Sequence, residues 1–179
     1  MKLHFTIETA SSRTELDVEI DQLVVAGWAG RDRAAIDHHI EELAAIGVPR
    51  PSAVPLYYRV SDNTAVQADV IQSVGTESSG EVETFIFRSG ETLYVSLASD
   101  HTDRKLESHS VALSKQICAK PIASTAWPFA EVTDHWDQLI IRSWIEENGV
   151  ETLYQEGPLS SLRTPQDLIL GLTGGESSL

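Results

Sequence analysis

Cationic side chains are scarce in this sequence: thirteen Lys and Arg stand against twenty-seven Asp and Glu, a formal charge of −14. Such a field repels nucleic acid phosphates and anionic membrane surfaces, so neither is expected as a partner. Cysteine is scarcer still. Cys118 is alone, which excludes an internal disulfide framework, and its setting "KQICAKP" reads as packing. Long apolar runs are missing too: "MKLHFTIETA" carries neither a signal-type h-region nor a spanning segment, so a cytoplasmic address is expected. The phosphate loop GxxxxGK, GxGxxG, GxSxG and HExxH are all absent. Nucleotide binding, serine hydrolysis and histidine-rich zinc sites therefore have no motif support.

What is present suits a water-soluble globular chain: 41% hydrophobic and 22% charged residues, read as one domain over residues 1–179. "KLHFTIE" and "TELDVEI" alternate apolar and polar residues and predict a hairpin, with Leu3, Phe5 and Ile7 on one face and Leu16, Val18 and Ile20 on another. "QLVVAGWAG" predicts a third strand. "RDRAAIDHHIEELAAIG" predicts a helix, with Asp32 as N-cap and Gly47 followed by Pro49 as stop. After a proline-rich connector, "PLYYRV" and "AVQADVIQSV" predict strands. "EVETFIF" and "TLYVSLA" predict a hairpin about "RSGE", and the stretch from Gln138 to Gly157 predicts another about Asn148-Gly149. Thr164, Pro165 and Asp167 mark a last helix start. The class is α+β, rich in strand, with few short helices.

Two constellations could carry chemistry. On the helix, His39 and Glu42 share a flank beside the apolar stripe of Ile36, Ile40 and Leu43, and a carboxylate three residues from an imidazole can orient it as a general base. A solvated helix edge explains the same pair. In the strand, Glu81 and Glu83 share a face with Phe85 and Phe87, so like charges meet on a partly apolar surface. With Asp100 they could cage a hard divalent cation, Mg²⁺, Mn²⁺ or Ca²⁺. Acids guarding an edge strand are the plainer alternative. Lys115 and Lys120 bracket an uncharged stretch, and either could serve as a functional charge.

These residues resemble the fumarylacetoacetate hydrolase superfamily, and within it a bacterial branch defined as a domain of unknown function. The superfamily's Glu-x-Glu strand matches Glu81 and Glu83. Its downstream metal segment matches "SDHTDRKLE", with Asp100 as the metal carboxylate and Arg104 as the arginine, although Ser99, Thr102 and Glu107 replace the usual Asn, Ser and Gln. Its lysine matches Lys115, its His-x-x-Glu dyad matches His39 and Glu42, and Arg59 stands where a lysine is common. The chain stops at Leu179, where the superfamily continues into strands with a Gly-Thr motif.

The resemblance implies a rolled mixed β-sheet, usually dimeric, and a metal-dependent hydrolase that cleaves a C–C bond in a 1,3-dicarbonyl or acylpyruvate-type 2-oxo acid. It implies Mg²⁺ held by Glu81, Glu83 and Asp100, catalysis by His39, Glu42 and Lys115, and substrate binding by Arg59 and Arg104. Two alternatives stay open: decarboxylation, isomerisation or dehydration of a 2-oxo or sugar-derived acid on the same site, and a noncatalytic relative.

Overall fold

The computed structural model describes residues 1–174. Strands β1 (Lys2–Glu8) and β2 (Arg13–Glu19) pair antiparallel, Phe5 opposite Leu16. Leu3, Phe5 and Ile7 are buried and Lys2 and His4 exposed, as the period-2 alternation requires. Strand β3 (Leu23–Gly27) leads into helix α1 (Arg33–Ala45) and then to β4 (Leu56–Val60), which returns antiparallel beside β3. The Asp32 carboxylate accepts from the amides of Ala34 and Ala35 at 2.9 and 3.2 Å, and α1 ends before Gly47, whose φ of +95° suits a residue without Cβ.

The strand expected over "AVQADVIQSV" shrinks to β5 (Ala65–Val66). Val70 and Val74 beyond it are both largely exposed, so that stretch has no surface to bury against. Next come β6 (Ser78–Ser79) and the expected hairpin of β7 (Val82–Ser89) and β8 (Thr92–Ser99). Ser89 pairs with Thr92, which makes Gly90 and Glu91 a two-residue turn with Gly90 at φ +58°. Strand β9 (Thr102–Asp103), helices α2 (Arg104–Glu107) and α3 (Val111–Gln116), β10 (Lys120–Pro121), β11 (Thr125–Pro128) and α4 (Phe129–Val132) follow.

Strands β12 (Ile140–Glu147) and β13 (Val150–Pro158) form the hairpin about Asn148 and Gly149, both at positive φ, and α5 (Pro165–Gly174) begins with the Thr164 hydroxyl accepting from the Asp167 amide at 3.2 Å. The rest of "TGGESSL", and with it the expectation about missing terminal strands, lies outside the described residues.

The main sheet is mixed, in the order β2-β1-β11-β8-β7, with β1 and β11 parallel and its other neighbours antiparallel. Its core stacks Phe5 on Phe87 with ring centroids 4.4 Å apart, and Phe87 on Tyr94 at 5.2 Å. A second cluster gathers Val95, Phe129, Trp136 and Leu159 on β8, α4 and the turns after it. The fold is thus strand-rich α+β with short helices. Among the described residues no helix is long and apolar enough to cross a membrane.

Candidate functional site

The face of β7 that carries Phe87 and Phe85 into the core continues outward to Glu83 and Glu81. Antiparallel pairing sets Val82 opposite Ser99, so Glu81 and Asp100 flank the same end of the hairpin, and the Asp100 amide donates to the Glu81 carbonyl at 2.9 Å. Gly80 is needed there: a Cβ would lie 2.6 Å from Ser99 Oγ and 2.8 Å from His101 Cε1. Glu81, Glu83 and Asp100 all line one cavity of about 850 Å³, together with Arg104, Lys115, Tyr58, Trp28 and His39.

Each carboxylate has a different partner. Arg104 donates from Nη2 to Glu81 at 2.7 Å and from Nε to Ser79 Oγ at 2.7 Å, and Nη1 lies 3.4 Å from Glu107. It opens α2, which Asp103 caps by accepting from the Leu106 amide at 2.7 Å. Burial works against its charge, but the adjoining Glu81 raises the guanidinium above its ordinary value. Asp100 is met by Lys115 of α3, whose Nζ donates to Oδ2 at 2.5 Å and sits 5.9 Å from the Tyr58 ring centre. The other oxygen, Oδ1, is buried without a hydrogen bond among the described residues and lies 3.4 Å from Lys120 Nζ.

Among the described residues no cation hydrogen-bonds Glu83. Burial, then the charges of Glu81 and Asp100, push its carboxyl up to about 8 against the opposing pull of Lys115. Removing the guanidinium tests this frame: Arg104→Gln is expected to cost about 1–2 kcal/mol in chemical denaturation, the loss of charge-assisted hydrogen bonds at a half-buried site.

Lys120 is the residue that sequence reasoning named without choosing. It is more buried than Lys115, at 3% exposure, and donates to the carbonyls of His101 and Lys115, the latter at 2.6 Å. It thereby ties the Asp100 segment to the end of α3. Burial lowers its ammonium despite the attraction of Asp100. It reaches the carboxylates from behind, through a second cavity of about 100 Å³ that Glu83 and Asp100 also line. The only sequence signal was a pair of lysines five residues apart, and nothing local distinguishes them. Tyr58 and Trp28, both on the cavity wall, were missed altogether.

Four expected site residues remain: Arg59, Arg104, His39 and Glu42. Arg59 is exposed, next to Tyr58 on β4, and the alternation that turns Tyr58 toward the cavity turns Arg59 away from it. Arg104 lines the cavity, but its donors already engage Glu81, Ser79 and Glu107. In this arrangement it holds Glu81 in place. His39 reaches the rim against Trp28, ring centres 5.7 Å apart. Its Nδ1 is 3.5 Å from Glu42, which is exposed and also lies 3.3 Å from His38. The pair is a loose, solvated dyad.

Residues 26–179 match a family described as protein of unknown function (DUF2848). The chain belongs to that family. The match takes in the whole cavity lining, from Ala26 to Leu162. No curated protein and no solved structure matches the chain.

A divalent cation is the group that the superfamily resemblance implies, and the donor set fits it chemically. The side chains are all oxygen donors, as hard cations require. Asp100 Oδ1 is a buried acceptor with no hydrogen bond among the described residues, and the charges of Glu81 and Asp100, which add to burial in raising Glu83, are those a cation would neutralise. Distances are a separate matter: among the described residues no three Asp, Glu, His or Cys side chains converge as a ligand group. Glu81 is turned onto Arg104 and Asp100 onto Lys115.

Proposed function

We propose that this chain is a divalent-metal-dependent hydrolase of the fumarylacetoacetate hydrolase type, with that superfamily's rolled sheet, cleaving a C–C bond in a 1,3-dicarbonyl or acylpyruvate-type 2-oxo acid. The observation that carries this reading is that Glu81, Glu83, Asp100 and Lys115 line one cavity, and that among the described residues no cation hydrogen-bonds Glu83. Glu81, Glu83 and Asp100 are the residues to hold Mg²⁺, Mn²⁺ or Ca²⁺. A bound cation of that kind supplies Lewis acidity to substrate oxygens.

The chain's own groups do the rest. Lys115, nearly excluded from solvent, places a fixed positive charge where the departing enolate becomes negative. His39 has Nδ1 toward Glu42, which leaves Nε2 to take the proton of the water that attacks the carbonyl carbon. As the C–C bond breaks, its electron pair leaves with the enolate. Tyr58 and Trp28 form part of the wall of the same cavity. The homodimer and the cytoplasmic address belong to the same reading, and the exposed Trp144, Leu153 and Tyr154 of the β12–β13 hairpin offer a second copy apolar surface to bury.

Calorimetric titration of Mg²⁺ and Mn²⁺ into metal-stripped protein tests the proposal. Saturable binding is expected, and Glu81→Gln/Glu83→Gln should abolish it; a wild type that binds neither ion overturns the reading.

The looseness of the His39–Glu42 pair favours a second reading on the same carboxylates. Decarboxylation, isomerisation or dehydration of a 2-oxo or sugar-derived acid passes through an enolate without an attacking water. Activity that survives His39→Ala but is lost in Glu83→Gln selects it; loss in both selects hydrolysis.

A further inference from the structure

Four lysine and arginine side chains line the large cavity, and three of them are committed. Arg31 holds Asp137 through two hydrogen bonds of 3.0 and 2.6 Å, Arg104 is shared among Glu81, Ser79 and Glu107, and Lys115 donates to Asp100. Lys105 is the fourth. It follows Arg104 in α2, is exposed, and makes neither an ion pair nor a side-chain hydrogen bond among the described residues. Consecutive helix positions lie about 100° apart, so a helix that commits Arg104 to Glu81 sets Lys105 on a different part of the wall. Ser160, in the Leu159–Ser161 turn after β13, lines the same cavity, and its hydroxyl also has no partner among the described residues.

Charge decides what such a lysine can do. Asp32, Glu81, Glu83, Asp100 and Glu107 all line the cavity, in a chain whose formal charge is −14. A carboxylate that enters is repelled by most of that wall, and most strongly at the end where Glu81, Glu83 and Asp100 gather. A dicarbonyl group is not, since its oxygens carry at most one shared enolate charge and suit a hard cation held among acids. The two parts of a 2,4-dioxo acid therefore sort in opposite directions, and the uncommitted ammonium of Lys105 is where the acid group finds an opposite charge.

We propose that Lys105, with the Ser160 hydroxyl, takes the carboxylate of the substrate and so fixes its direction in the cavity: acid group toward α2 and the Leu159–Ser161 turn, dicarbonyl toward Glu81, Glu83 and Asp100. Lys105 is then the residue that selects an acid over a neutral dicarbonyl compound. The inference rests on the dicarbonyl-acid reading given above and adds the group that reads the substrate's charge.

Calorimetry with 2,4-dioxopentanoate and with pentane-2,4-dione, which keeps the dicarbonyl and lacks the carboxylate, tests it, each with Mg²⁺ present and with the metal removed. Lys105→Gln is expected to weaken the acid about fivefold, the scale of a solvent-screened ion pair, and to change the dione less than about twofold. Lys105→Arg should hold the acid within about twofold of wild type, and added salt should shrink the gap between wild type and Lys105→Gln. Lys105 is exposed, so these changes spare the fold. Weakening of the acid that arginine rescues, with no matching loss for the dione, supports the inference. If that pattern needs Mg²⁺ it supports the metal reading as well; if it is the same without Mg²⁺, the lysine subsite stands and the metal's contact with substrate does not. Equal weakening of acid and dione, no weakening of either, or a wild type that does not bind the acid overturns the inference, and the metal titration alone then decides the proposed function.

Discussion

Metal-stripped protein is expected to lose stability as pH rises from about 5 to about 8.5, and Glu83→Gln to remove most of that loss. The sign follows from the direction of the shift. Glu83 is an acid whose folded value, about 8, lies above its ordinary 4.5. The folded state therefore binds the proton more tightly, and the stability this confers is present in full below the ordinary value and lost as pH climbs through 8. A shift of that size corresponds to about 4–5 kcal/mol if fully expressed. The residue is only partly buried by exposure, and water in the cavity screens it, so about 2–4 kcal/mol is the expected change.

His4, raised by its hydrogen bond to Asp17, also loses favourable charge as pH rises, but it does so equally in both proteins and cancels in the difference. Denaturation curves at several pH values give that difference directly. Equal slopes in wild type and Glu83→Gln would place Glu83 in contact with solvent or a cation. Added Mg²⁺ should reverse the trend, since a ligating carboxylate must release its proton and metal binding then stabilises the fold more as pH rises.

Asp100→Asn should be the most disruptive single change in the site. Asp100 is buried between Lys115 at 2.5 Å and Lys120 at 3.4 Å, and an amide leaves two buried ammonium groups without their anion. Removing one partner of a buried ion pair costs about 3–5 kcal/mol. Lys120, which burial already holds below its ordinary value, should then shed its proton more readily. Unfolded lysine binds protons more tightly than this buried one, so the variant should recover stability as pH rises toward the ordinary lysine value. Thermal melts across that range check the sign. On the proposed hydrolase reading, activity on an acylpyruvate should fall at least about a thousandfold at every pH, because the residue both orients Lys115 and belongs to the carboxylate set. Recovery of stability without recovery of activity separates the two roles.

Much of the frame was legible because short-range rules decide it. The period-2 alternation of β1 and β2, the Asp32 cap on α1, and the Asn148-Gly149 turn each depend on residues within one element. The β7–β8 hairpin goes further: its two-residue turn at Gly90-Glu91 sets the register, and that register alone brings Glu81 beside Asp100. Helices α2 and α3 were not legible, since four and six residues are too few for a helical period to declare itself.

By itself, then, the sequence determined the strand-rich class, the pairing of Glu81 and Glu83 on one face, and the nearness of Asp100, because alternation and turn geometry propagate over a few residues. Tertiary structure alone decided which cations meet those acids. Arg59 was turned outward, Arg104 was committed to Glu81, Lys120 was placed behind Asp100, and Trp28 and Tyr58 were set over the cavity, because those positions depend on how β4, α3 and β10 pack around the hairpin. Burial is a property of that packing, and burial is what leaves Glu83 holding a proton.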